Sequence, residues 1–305
     1  MSAAALKTRL GELARSRRAA TPPPFDPARE ATPGVGVAVG PATSPTATEP
    51  EPAPAGVEGY LPGGEWRDEH GAVFVHERLR SQVERSRPDW GRLGEPPDDE
   101  PDLIAIRTLG LERVLFLDLE TGGLSSSPVF LAGTMHWNGE DFVLRQYFAR
   151  HYGEEPALLR AVGEQAGRFD ALVTFNGRSY DAPFLRSRAL VHGVPLTLPE
   201  RHLDLLHASR RRWRDELEDC RLQTLERHVC RRRRSGDVPS EEVPGLYHDF
   251  VRRGDPYRLV PVFHHNLLDV ITMAEILRAL CTPPKTPRVR RAARRRVPAG
   301  AEPGW

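Results

Sequence analysis

Two carboxylates stand close together at the end of an apolar run. In Arg113–Leu124, RVLFLDLETGGL, the residues Val114–Leu117 and Leu119 are apolar, and Asp118 and Glu120 alternate with them before a Gly-rich turn. Such a run predicts a strand covered on both faces. Alternate residues of a strand point to the same side, so Asp118 and Glu120 converge at its C-terminal end. Like charges that close raise each other's pKa unless a cation lies between them. A divalent metal held by hard oxygen ligands is the usual remedy. A bare D-x-E also fits a polar strand end, so the argument rests on what the rest of the chain adds.

Two further carboxylates occur in matching contexts. Asp170–Leu185, DALVTFNGRSYDAPFL, predicts a short strand at Ala171–Phe175, a turn at Asn176-Gly177 and a helix opened by Asp181 just before Pro183. Asp181 there also suits an N-cap. In Phe263–Leu280, the apolar positions Leu267, Val270, Ile271, Ala274, Leu277 and Leu280 predict an amphipathic helix with Asp269 among them. An unpaired carboxylate is costly to bury there, and a metal ion or a histidine would offset that cost. At about 100° per residue, His265 lies roughly 40° from Asp269 around the helix and His264 roughly 140°. A continuous helix therefore puts His265 beside Asp269, where an imidazole can do general-base work. A broken helix start would leave His264 as the alternative.

In this order, DLETGG, FNGRSYD and HNLLD resemble the three motifs of the ribonuclease-H-like DEDD exonucleases. The flanking PVFLAG, HLDLLHASRRRWR, CRLQTLE and VPGLYHDFVRRGD resemble more closely the YprB-like members of that superfamily, from roughly Gly56 to Leu280. The resemblance implies an α/β fold, a ribonuclease-H-like mixed five-stranded sheet flanked by helices. It implies that Asp118, Glu120, Asp181 and Asp269 bind two Mg²⁺ or Mn²⁺ ions, with His265 orienting or deprotonating the attacking water. Asn176 and Tyr180 would touch the substrate, and the backbone of Thr121, Gly122 and Gly123 would approach its terminal nucleotide. The implied activity is phosphodiester hydrolysis from the 3′ end of single-stranded DNA or RNA. A structure-specific endonuclease and a non-catalytic nucleic-acid-binding module on the same fold are the alternatives. Three features depart from the pattern: Gly122 replaces a second Thr, Ser125–Ser127 replaces a longer Gly-rich insert, and the histidines match two different subclasses.

The net charge is only +1, so any nucleic-acid contact is local. Arg201–Arg234 holds eleven arginines against six acidic residues, including Arg210–Arg212 and Arg231–Arg234. Lys285–Arg296 adds seven basic residues and no acid. Arginine forks suit phosphate and give salt-sensitive, sequence-blind binding. Tyr180 and Trp213 could stack on bases, though Trp213 equally suits packing. His202–His207 reads as another strand, in which Asp204 is a structural or supporting carboxylate.

Four segments follow from composition. Residues 1–55 read as a basic and Pro/Ala-rich disordered tail, with ten prolines in Thr21–Gly56. Residues 56–102 read as a small hairpin-like lead-in, 103–282 as the exonuclease domain, and 283–305 as a basic disordered tail. Ser2–Ala20 lacks the continuous apolar core of a secretory signal. No window approaches the length of a membrane span. Cys220, Cys230 and Cys281 predict neither a disulfide framework nor a zinc site. The chain reads as cytoplasmic, with no signal for its oligomeric state.

Overall fold

A computed structural model describes residues 56–69, 71–84, 89–124, 126–234 and 236–282. The expectations for the two tails fall outside these residues. Seven strands form one sheet: β1 (Gly64–Asp68), β2 (Gly71–Leu79), β3 (Val114–Thr121), β4 (Val129–Trp137), β5 (Phe142–Phe148), β6 (Ala171–Thr174) and β7 (Arg201–Asp204). Their order is β1-β2-β5-β4-β3-β6-β7. β3, β4 and β5 pair antiparallel, while β6 and β7 run parallel to β3. These five are the mixed sheet the resemblance implies. The count is nevertheless seven, because the β1–β2 hairpin of the lead-in joins the free edge of β5, with Phe74 opposite Phe148. His76, Glu77 and Arg78 interrupt the apolar pattern of β2 and concealed its length. Buried His76 answers its polarity with a short contact from Nδ1 to the Pro62 carbonyl.

Helices cover both faces. They are α1 (Arg80–Val83), α2 (Pro101–Leu109), α3 (Glu155–Ala166), α4 (Asp181–His192), α5 (Leu205–Trp213), α6 (Leu222–His228), α7 (Val243–Arg253) and α8 (Val260–Leu280). On one face Val114 and Phe116 pack with α5, α6 and α8. On the other, Leu115 and Leu117 pack with α3 and α4. This two-sided burial explains the unbroken apolar run of β3. The alternation also sends Asp118 and Glu120 toward the α8 side, in line with Phe116. A register shift between Glu120 and Thr121 interrupts the pairing with β4 just before its last pair, Thr121 with Val129, and such irregularities re-aim side chains at sheet ends.

Two expectations change. α8 is buried nearly all round rather than amphipathic, because it runs between the sheet and the outer helices. The strand expected at His202–His207 stops at Asp204, whose carboxylate accepts the Leu206 amide at 3.0 Å and caps α5. Trp213 is packed in the core. All three cysteines are free thiols. Among the described residues, no helix is long and apolar enough to cross a membrane.

Candidate active site

The end of β3, the start of α4 and the middle of α8 meet at one place. Asp118 and Glu120 come from β3, Asp181 is the first residue of α4, and Asp269 lies on α8. α8 is continuous through both histidines, and His265 Nε2 stands 3.3 Å from Asp269 Oδ2. His264 makes no part of this cluster. Among the described residues, the ligand atoms of Glu120, His265 and Asp269 lie within 4.8 Å of one another. Asp118 and Asp181 are outside that tight group but feel its charge.

Asp118 and Asp181 are each held by a named donor. Asn266, fully buried, donates from Nδ2 to Asp118 Oδ2 at 2.9 Å and to the Asp118 carbonyl at 3.3 Å. Its own carbonyl accepts from Gln146 Nε2 at 2.9 Å. Asp181 does not act as a side-chain cap: Tyr180 is the N-cap residue, and Asp181 Oδ1 instead accepts the Leu119 amide at 3.1 Å. Asn176 adopts φ 63° in the Asn-Gly turn, and its amide donates to Asp204 Oδ1 at 2.8 Å. A Cβ on Gly177 would lie 2.4 Å from Thr174 Oγ1 and 2.9 Å from Asp181 Oδ2, so only glycine fits beside that carboxylate.

The electrostatics are those of crowded, desolvated acids. Asp118 and Asp181 open on one side to a cleft, while Glu120 lies behind them. Burial, with the charges of Asp269, Glu120 and Asp181, holds Asp118 well above the usual carboxylate range. Burial pushes Glu120 up to about 8; His265 pulls it down, while Asp269 and Asp181 add to the rise. Burial likewise pushes Asp181 up to about 7, against the amides it accepts and with Asp204 and Asp269 adding. For His265 burial disfavours the charged ring. A 2.7 Å hydrogen bond to Asp237 and the charges of Asp269 and Glu120 outweigh it and raise the ring to about 9.

The turn after β3 shapes the cleft. Thr121 Oγ1 donates to the Gly123 carbonyl at 2.9 Å. His248 Nε2 lies 2.8 Å from the Gly122 carbonyl, and its Nδ1 lies 2.8 Å from Tyr152 Oη. A Cβ on Gly122 would come within 3.1 Å of the Pro128 and His248 side chains, so a larger residue here would require them to shift by a few tenths of an ångström. Asp118, Leu119, Thr121, Gly123, Leu124, Tyr180, Asp181 and Phe184 line a cleft of about 600 Å³. Leu124 is 89% exposed there and Tyr180 67% exposed.

A family model of the RNase H superfamily matches residues 115–281, from β3 through α8. The chain belongs to the RNase H superfamily. Its fold is thus a nuclease fold. YprB of Bacillus subtilis, an uncharacterized protein, is 32% identical to this RNase H-like chain over 169 residues, 54% of this chain and 41% of that protein. The chain thus spans less than half the length of that curated relative. A family B DNA polymerase from the archaeon Pyrobaculum calidifontis superposes with TM-score 0.44 at 18% identity, over 67% of this chain and 28% of the polymerase.

Several residues of this RNase H-like site escaped the sequence reading. Asn266 and Gln146 are buried polar residues that motif matching passed over. The signal for Asn266 was its place inside an otherwise apolar helix, three residues before Asp269. Arg234 and Asp237 were hidden in what read as a basic run. The structure corrects that run: Arg231 and Arg233 face outward, but Arg232 and Arg234 turn inward onto Glu226, Glu275 and Asp269. Of the other cluster, Arg211 and Arg212 are already paired with Glu100 and Glu216. Fewer of these arginines are left to the surface than their count implies.

Proposed function

We propose that this protein is a metal-dependent nuclease, a 3′–5′ exonuclease acting on single-stranded DNA or RNA. The observation that carries the reading is that Asp118 and Asp181, which line the cleft, share one charge cluster with the grouped Glu120, His265 and Asp269 behind them. Carboxylates raised this far are poised to exchange protons for a cation. The donor set, carboxylate oxygens with one imidazole, fits Mg²⁺ or Mn²⁺. When bound, two such ions would supply an acidified water and a clamp on the attacking and leaving oxygens of the phosphodiester.

The chain's own groups do the positioning. Asn266 fixes the rotamer of Asp118, and the Leu119 amide fixes Asp181. His265 presents Nε2 toward Asp269 while Asp237 holds Nδ1. In the metal-free site Asp237, Asp269 and Glu120 raise the His265 ring to about 9, so it holds a proton there that it must lose to act as a base. Tyr180, Leu124 and Phe184 offer apolar faces on which a terminal base can stack. Asn176 and the Thr121–Gly123 backbone border the sugar and phosphate. The cleft volume falls within the range of small-ligand sites and suits an unpaired end. The 3′ polarity comes from the resemblance to the DEDD exonucleases.

The test is cleavage of 3′- and 5′-labelled single-stranded DNA and RNA with Mn²⁺, beside EDTA and Asp118→Ala controls. Metal-dependent laddering from the 3′ end, lost in the variant, is expected. Cleavage of closed circles would point to an endonuclease instead. Binding without cleavage of any substrate would overturn the nuclease reading.

A further inference from the structure

Arg234 lies between α6 and α7 and points into the carboxylate cluster. Its side chain is 6% exposed. Nε donates to Glu226 Oε2 at 2.5 Å, Nη2 donates to Asp269 Oδ1, and Nη1 lies 3.5 Å from Asp237 Oδ2. One guanidinium thus faces three carboxylates, one of them a candidate metal ligand. The neighbouring groups Arg80, Arg232, Glu84 and Glu275 pair with one another, and Arg232 Nη1 also lies 3.5 Å from Glu226 Oε1. Glu226, Asp237 and Asp269 face Arg234, while Asp237, Asp269 and Glu120 face the His265 imidazole. The inner cluster is strongly negative, and Arg234 is its fixed positive charge.

We propose that Arg234 is a permanent internal cation of the metal centre. It is a positioning residue: by holding Asp269 Oδ1 it leaves Oδ2, the oxygen beside His265, as the one free to bind metal. Its charge opposes metal binding yet keeps the cluster folded when metal is absent. Arginine suits this role because it stays charged and its planar fork spans Glu226 and Asp269 together, which a lysine ammonium does not. The proposal rests on the metal-dependent reading above.

The experiment measures Mn²⁺ affinity by calorimetry, melting in EDTA and in Mn²⁺, and single-turnover cleavage, for the full chain and for Arg234→Gln and Arg234→Lys. Removing a partly buried unit charge a few ångströms from a metal ion should tighten Mn²⁺ by about tenfold or more. Arg234→Gln should therefore bind Mn²⁺ more tightly, melt lower in EDTA and cleave more slowly. Higher metal affinity with lower turnover is a split that a merely structural brace cannot produce. Weaker Mn²⁺ binding, with equal melting losses in EDTA and Mn²⁺, would show that Arg234 only braces Glu226 and would overturn the proposal. If Arg234→Gln does not fold, Arg234→Lys decides: affinity should stay within about threefold, since the charge is kept, while turnover falls. Unchanged turnover in that variant overturns the positioning role. A wild-type protein that binds no Mn²⁺ defeats the metal-dependent reading rather than Arg234. Melting in EDTA then decides the internal-cation role: adding Asp269→Asn to Arg234→Gln should restore most of the lost stability, and additive losses would overturn it.

Discussion

Gly133→Ala places a methyl group where the structure has put the side chain of Asn266. Gly133 sits on β4 between Asp118 on β3 and Gln146 on β5. A Cβ there would lie 2.2 Å from Asn266 Oδ1 and 2.8 Å from its Cγ. Neither strand can yield, so Asn266 must leave its slot. Overpacking of this kind costs about 1–3 kcal/mol. The bonds of Asn266 to Gln146 and Asp118 are worth about 0.5–1.5 kcal/mol each. Alanine in a strand returns about 0.5–1 kcal/mol relative to glycine. These terms combine to a net loss of about 1–5.5 kcal/mol, which for a domain of this size lowers the melting temperature by roughly 2–22 °C. Cleavage should fall further than stability, because Asp118 loses the amide that orients it; misplacement by about 1 Å costs up to about a hundredfold. The assays are thermal melting in EDTA and Mn²⁺-dependent cleavage at a temperature where the variant stays folded. Gly64→Ala is the control, since a Cβ on that edge-strand glycine meets nothing within 4 Å. If Gly133→Ala melts and cleaves like wild type, Asn266 does not hold Asp118 and the account of the site is wrong.

Three further outcomes are expected. Asp118→Asn and Asp181→Asn should abolish cleavage yet raise the melting temperature in EDTA, because each removes a buried acid from a cluster of like charges; a lowered metal-free melting temperature would contradict this. Metal-free stability should decline as pH rises between about 6.5 and 9. Glu120 at about 8, Asp181 at about 7 and His265 at about 9 are raised above their unfolded values, so the folded state holds protons that the unfolded chain has released. Buried His136 and His202, lowered to about 4, act in the opposite sense only below that window. Melting curves in EDTA across these pH values check the slope, and a rise with pH would refute it; saturating Mn²⁺ should flatten it. Finally, His265→Ala should slow cleavage by roughly a hundredfold or more, the usual scale of general-base loss. His264→Ala should stay near wild type in the same single-turnover assay, and the reverse order would show that the wrong histidine has been assigned.

Local chemistry made much of the site readable. Alternation in β3 put Asp118 and Glu120 on one side, the Asn176-Gly177 turn marked the end of β6, and helical spacing separated His265 from His264. Those inferences need only the fixed geometry of a strand and a helix, so they survive folding unchanged. The count of strands was not readable in the same way, because β2 carries His76, Glu77 and Arg78 and its pairing partner, β5, is remote in sequence. The end of β7 was missed because Asp204, in a run that reads as strand, accepts the Leu206 amide and caps a helix instead.

What the sequence alone determined, then, was which residues could do chemistry and the local element each stands on. Tertiary structure decided who restrains them and how their charges are balanced. Asn266, Gln146 and Gly133 form one slot only when β4, β5 and α8 are brought together. Arg234 reads along the chain as one more residue of a basic surface run. Its role as the counter-charge to Asp269 exists only because the chain between α6 and α7 folds over α8. Covalent order fixes side-chain direction within an element. Burial and ion pairing depend on which distant elements share the space, and only the folded chain specifies that.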